Sequence, residues 1–253
     1  MACGLGKFVG QQSCWCTIQS YTTLYSAQRY YTTMQYLIFD DMTQCSELEV
    51  ARMLPLVSEQ RREQALRYTH TFGQYCCLKS YELLQQLLAS CRYPISNSPL
   101  GRPIAALPRP IIASERRPLN TPTFLYNEHG APYLEDGPCF SISHCKQGIA
   151  VVVSDRPVGI DIEGLRKVDE GLVRKTMNIV EQAQIAAAAN SEQEFIRLWT
   201  RKEAYVKMLG TGIISDMHTI LQDATAVEWQ EIVDLDRGYI CTICTICTKN
   251  EQK

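Results

Sequence analysis

Three observations in the sequence predict an α+β fold. First, short runs rich in β-branched and apolar residues read as strands, at Met34–Phe39, Ile149–Val153, Pro157–Ile162 and Tyr239–Thr248. Second, between them lie stretches whose apolar residues recur at three- and four-residue steps, as on one face of a helix; 58–88 and 191–209 are the longest. Third, neighbouring strand runs are joined by short turns, near Gly130 and just after His144, so they pair as hairpins.

Taken in order, strand-like order begins after a second methionine, with Met34-Gln35-Tyr36-Leu37-Ile38-Phe39. Residues 1–33 mix Gly, Gln, Ser, Thr and Tyr without periodicity; they read as a loose tail or a misassigned start, with an added edge strand or small cap as the rival reading. Ser46 to Leu56 predicts a short helix. Ser58 caps a second, whose stripe of Ala65, Leu66, Phe72, Cys76, Leu83, Leu84, Leu87 and Leu88 runs to its end. From Tyr93 to Pro122 stand seven of the eleven prolines (94, 99, 103, 108, 110, 118 and 122), which remove donors and block helix, so the stretch is a linker or long loop. Phe124–Tyr126 and Pro132–Leu134 form a hairpin around Asn127–Ala131, and alternation in Cys139–His144 gives a strand ending at Ser143 and His144. Leu172–Ala189 reads as a helix bent near Asn178. Ser191 and Glu194 form a capping box for the next, which Gly210 ends.

The chain has 253 residues, room for one large domain or two small ones packed together, and its 45% apolar content supports a full core. A net charge of −2 with no Lys/Arg block excludes a broadly basic nucleic-acid surface. No charged and apolar leader opens the chain, and no apolar run is long enough to span a bilayer. The twelve cysteines include several in apolar runs, where free Cys behaves as a small hydrophobe; a cytoplasmic protein with reduced thiols is expected. Cys241, Cys244 and Cys247 stand three apart on a strand, which throws successive thiols to opposite faces, so they read as structural rather than zinc-binding.

Chemistry concentrates in Val158-Gly159-Ile160-Asp161-Ile162-Glu163. Two carboxylates in a strand that should be buried are costly unless paired or bound to a cation. Residues at i and i+2 share a face, so Asp161 and Glu163 project side by side and form a pair of hard oxygen ligands suited to Mg²⁺. Two exposed acids on a strand running into solvent are the plainer alternative. In the helix Trp199–Lys207, Glu203 and Lys207 are one turn apart. They read either as an exposed ion pair or as a third metal ligand beside a phosphate-binding cation.

Three segments stand in fixed order: Phe-Ser-Ile-Ser-His ending at His144, then Val-Gly-Ile-Asp-Ile-Glu about 14 residues on, then Trp-Thr-Arg-Lys-Glu-Ala-Tyr-Val-Lys about 36 residues beyond. With them the chain, from about Met34 to its C-terminus, resembles the 4′-phosphopantetheinyl transferases of the Sfp-like group. The resemblance implies two similar α+β halves, 34–154 and 155–253, with coenzyme A in the cleft between them. It implies transfer of the phosphopantetheine arm of coenzyme A to a serine of an apo acyl or peptidyl carrier protein, with release of adenosine 3′,5′-bisphosphate. Asp161, Glu163 and Glu203 match the Mg²⁺ ligands of the family. Ser143 and His144 match the position that contacts the 3′-phosphate, Lys207 the lysine at the pyrophosphate, and Lys202 its neighbour in the motif. Glu181 matches an acid that positions or deprotonates the serine, Arg61 a phosphate-contacting base, and Gly130 and Pro132 the turn against the adenine.

The chain departs from the family pattern at Ala131, where the turn carries lysine, and at Gln64, a second basic position. A monomer without nucleic-acid or membrane partners is implied. The alternatives are a non-catalytic coenzyme A or carrier-binding homologue and a Mg²⁺-dependent pyrophosphate hydrolase of another fold. A serine hydrolase built on Ser143 and His144 is disfavoured, since strand neighbours face opposite ways and no Gly-x-Ser-x-Gly elbow exists.

Overall fold

The computed structural model describes residues 34–92, 124–135, 137–212, 216–222 and 224–247. The readings made for residues 1–33 and for the proline-rich stretch to Pro122 lie outside these. The described residues belong to one compact unit, 32–253. In chain order they form β1 (Gln35–Phe39), α1 (Glu47–Met53), α2 (Glu59–Leu66), α3 (Thr71–Arg92), β2 (Phe124–Tyr126), β3 (Pro132–Leu134), β4 (Cys139–Cys145), β5 (Gly148–Ser154), β6 (Val158–Gly164), α4 (Glu170–Thr176), α5 (Ile179–Ala187), α6 (Ser191–Leu209), β7 (Val227–Asp234) and β8 (Tyr239–Ile246). The mixed α+β class is the one expected.

All strand pairs are antiparallel. One sheet runs β1-β5-β4, another β6-β8-β7, and β2-β3 is a separate hairpin. The two-residue period of β5 explains how they stack. Ile149, Val151 and Val153 pack into a core with Tyr75, Leu78 and Leu84 of α3. Ala150 and Val152 point the other way, onto Val158, Ile160 and Ile162 of β6 and Tyr239, Cys241 and Ile243 of β8. Every residue of β5 is buried, which is why its sequence is an unbroken apolar run. Helix α6 covers the opposite face of β6 and β8, through Ala204 and Met208 on Cys244 and through Phe195, Ile196 and Leu198 with Ile240. Cys241 and Cys244 thus lie on opposite faces of β8 as their spacing requires, and both are free thiols, as are Cys45, Cys76, Cys77, Cys139, Cys145 and Cys247.

Several boundaries shift from the sequence reading. The long helix from Ser58 is two helices, α2 and α3, broken at Arg67–His70. His70 Nδ1 accepts from Gly73 N at 2.9 Å and starts the second helix, and a Cβ at Gly73 would lie 2.6 Å from the Tyr68 ring, so glycine lets that ring close over the break. The bend near Asn178 is likewise a full break. Asn178 accepts from Val180 and Glu181 N, and Glu181 returns a bond to Asn178 N in a capping box. At α6 the cap is Asn190, not Ser191; Asn190 accepts from Gln193 N, and Glu194 pairs with Arg197 instead of closing a box.

Candidate active site

Strand β6 divides its residues between two tasks. Val158, Ile160 and Ile162 fill the core between the sheets, which turns Gly159, Asp161 and Glu163 toward the α6 side. Gly159 sets the distance: a Cβ there would fall 1.9 Å from Ala204 O and 2.7 Å from Met208 N. Only a hydrogen permits the helix backbone to come this close, and the approach brings Lys207 onto Asp161.

Asp161 is 3% exposed. Its Oδ1 accepts from Ser143 Oγ and from Lys207 Nζ, each at 2.7 Å, while Oδ2 is buried without a hydrogen-bond partner. A buried acceptor left unmatched is costly and calls for a further donor or a cation. Glu163 pairs through Oε2 with Arg166 at 2.8 Å. Burial, followed by the negative charges of Asp161 and Glu163, raises the carboxyl pKa of Glu203 against the opposing pull of Lys207. Burial and then Lys207 lower the imidazole pKa of His144, whose ring meets Phe72 edge-on at 6.2 Å. Ile142, Ser143, His144, Asp161, Glu163, Glu203 and Lys207 line one pocket of about 360 Å³.

The structure therefore brings six of the anticipated residues together: Ser143, His144, Asp161, Glu163, Glu203 and Lys207. Among the described residues, no group of three or more His, Cys, Asp or Glu side chains stands as a ready set of metal ligands. Lys207 and Arg166 pair with two of the three acids instead.

The other anticipated residues do not line the pocket. Arg61 is buried under α3, donating to Cys77 O, Ser80 Oγ and Gln64 Oε1, with its guanidinium 5.4 Å from the Tyr81 ring centre and 5.7 Å from that of Phe124. Lys202 is fully buried; its ammonium donates to Glu181 Oε2 at 2.6 Å, Met217 O at 2.7 Å and Thr176 O at 2.9 Å. Glu181 is 7% exposed and spends the same oxygen on Asn178 N. Gly130 and Pro132 sit on the β2–β3 hairpin, Gly130 at φ +78° as its turn demands. Sequence reasoning missed Ile142 in the wall and Arg166 on Glu163. Arg166 had a legible signal in its spacing three residues from Glu163, and Ile142 in standing two residues before His144 on one strand, hence on the same face.

Fold and pocket define an α+β protein that gathers three acids, a lysine and a histidine around one pocket from the edge strands β4 and β6 of two sheets and from one helix. Comparison with known proteins agrees with that description. Residues 157–249 match the model of the 4′-phosphopantetheinyl transferase superfamily. The 4′-phosphopantetheinyl transferase AcpT of Salmonella typhimurium is 36% identical over 130 residues, 48% of this chain and 67% of that protein. The transferase gsp of Aneurinibacillus migulanus is 29% identical over 137 residues, 49% of this chain. Sfp of Bacillus subtilis is 22% identical over 216 residues, 79% of this chain and 86% of its own length. The chain spans 58% of the length of gsp. The chain belongs to the 4′-phosphopantetheinyl transferase superfamily.

Proposed function

We propose that the protein transfers the 4′-phosphopantetheine arm of coenzyme A to a serine of an apo acyl or peptidyl carrier protein, leaving adenosine 3′,5′-bisphosphate. The observation that carries this reading is the convergence of Asp161, Glu163, Glu203, Lys207 and His144 on one pocket from β4, β6 and α6. In it, residues 34–154 and 155–253 act as two halves with coenzyme A along their seam.

Asp161, Glu163 and Glu203 would hold Mg²⁺. The donor set fits: it is all oxygen, Asp161 Oδ2 is buried and unmatched, and Glu203 carries the cost of neighbouring negative charge. Bound there, the cation supplies positive charge to the pyrophosphate. The remaining work falls to the chain's own side chains. Lys207 places its ammonium where the leaving phosphate gains charge. His144, at the pocket rim, faces the 3′-phosphate, and the Gly130–Pro132 turn faces the adenine. Ser143 fixes the rotamer of Asp161 through its 2.7 Å bond. Glu181 and Lys202 contribute by locking α5 to α6, and Arg61 by bracing α2 on α3.

Intact-mass analysis tests the reading directly. Purified protein, coenzyme A and Mg²⁺ should convert an apo carrier to its heavier holo form, and no mass change across several apo carriers would overturn it. Ala131 in place of the turn lysine favours one rival, a non-catalytic binder. Calorimetric binding of coenzyme A without turnover would establish that instead.

A further inference from the structure

We propose that Asn127 is a positioning residue that clasps the β2–β3 hairpin to the end of α6 and thereby sets the grip on the adenine end of coenzyme A. The inference rests on the transferase reading above for its ligand and on geometry for the clasp. One side chain makes three bonds. Asn127 Oδ1 accepts from His129 N at 3.0 Å and from Ala131 N at 2.8 Å, and Nδ2 donates to Gly210 O at 2.8 Å. The orientation is forced, because the reversed amide would set its NH₂ against two N–H donors. The loop's own backbone bonds, Asn127 N to Ala131 O and Gly130 N to Asn127 O, each 3.0 Å, make it a formed turn.

The chain at Gly210 and Gly212 touches the hairpin at this seam. A Cβ on Gly210 would stand 3.4 Å from Asn127 Nδ2 and 4.0 Å from Ala131 Cβ, and one on Gly212 would stand 3.5 Å from His129 Cβ. Both glycines have positive φ, +65° and +69°, so the chain leaving α6 turns under the hairpin where a larger residue would be strained. Helix α6 carries Glu203 and Lys207; the hairpin carries the Gly130–Pro132 turn. The clasp is the hydrogen bond that fixes the distance between these two ends of the site.

Asn127→Ala removes all three bonds, whereas Asn127→Asp keeps the acceptor for both loop N–H groups, loses the donor to Gly210 and turns a carboxylate oxygen toward that carbonyl. Hydrogen exchange of the unliganded proteins should be faster in the last turn of α6 and at Gly210 in both variants. It should be faster at His129 and Ala131 in Asn127→Ala alone. Calorimetry should show adenosine 3′,5′-bisphosphate and coenzyme A bound about 3- to 10-fold more weakly by both variants, the scale of one exposed hydrogen bond. In turnover, KM for coenzyme A rises by a similar factor while kcat at saturation stays within about twofold. Parent-like exchange at the end of α6 in Asn127→Asp overturns the clasp. Faster exchange with parent-like affinity overturns its link to the ligand. A parent protein that binds neither nucleotide sinks the transferase reading, and the exchange measurement still judges the clasp.

Discussion

At the scale of single residues, the pocket trades stability for charge. Glu203 has a folded pKa raised above its ordinary 4.5, so the folded state holds its proton more tightly than the unfolded state does. Its cost to folding is absent well below pH 4.5 and grows as pH rises from there through the raised value. Glu203→Gln should therefore raise the Tm of the metal-free protein at pH 7 and flatten its decline above pH 4.5. The same variant should lose carrier modification by at least about 100-fold, the scale of removing one charge-placing group. A variant with parental transfer would refute the role of this acid. His144 has the opposite sign. Its pKa is depressed below 6.5, so the unfolded chain takes up a proton first on acidification, and stability is lost as pH falls through that value. His144→Gln should make the fall of Tm below pH 6.5 shallower than in the parent, as followed by thermal melts across pH.

Elements meet under tighter constraints than their sequences advertise. Gly159 is the contact point of β6 and α6, where backbone lies too close for any side chain. Gly159→Ala should cost more than about 3 kcal/mol, since the overlap is with backbone that cannot rotate away. Chemical denaturation, or failure to obtain soluble protein beside a soluble Gly238→Ala control, measures this; Gly238, unlike Gly159, has positive φ, so alanine there bears backbone strain, but its Cβ would meet nothing within 4 Å. The Lys202–Glu181 pair joins α6 to α5 and, through Thr176 and Met217 carbonyls, to the segments around them. Lys202→Met would strand a buried carboxylate and should destabilise by about 3–5 kcal/mol. Adding Glu181→Leu should recover much of that loss. If the double variant is stable yet transfers nothing to a carrier, one of the two side chains touches substrate after all.

For the whole molecule, the class of fold was legible because its signals are local and periodic. The two-residue period of β4 and β6, the unbroken apolar run of β5, the apolar stripe of α3 and the turn at Gly130 each appear where patterning places them. The two helix breaks were less legible. At Arg67–His70 the apolar stripe continues across the gap, and only a histidine-to-backbone bond marks the new start. The acids were legible as a group because carboxylates inside an apolar strand are energetically out of place. No helix among the described residues is long and apolar enough to cross a membrane, in line with the hydropathy of the sequence.

The sequence by itself determined which residues bear charge, which strand carries the acids and at what spacing, because these follow from side-chain chemistry and the two-residue period of a strand. Tertiary structure alone decided which charges meet. Lys202 and Lys207 are five residues apart on one helix and look alike in sequence. One is sealed against Glu181 and two carbonyls, while the other opens onto the pocket beside Asp161. The helix is rotated by the burial of Ala204 and Met208 against the sheet, and that long-range packing divides its two lysines between structure and site.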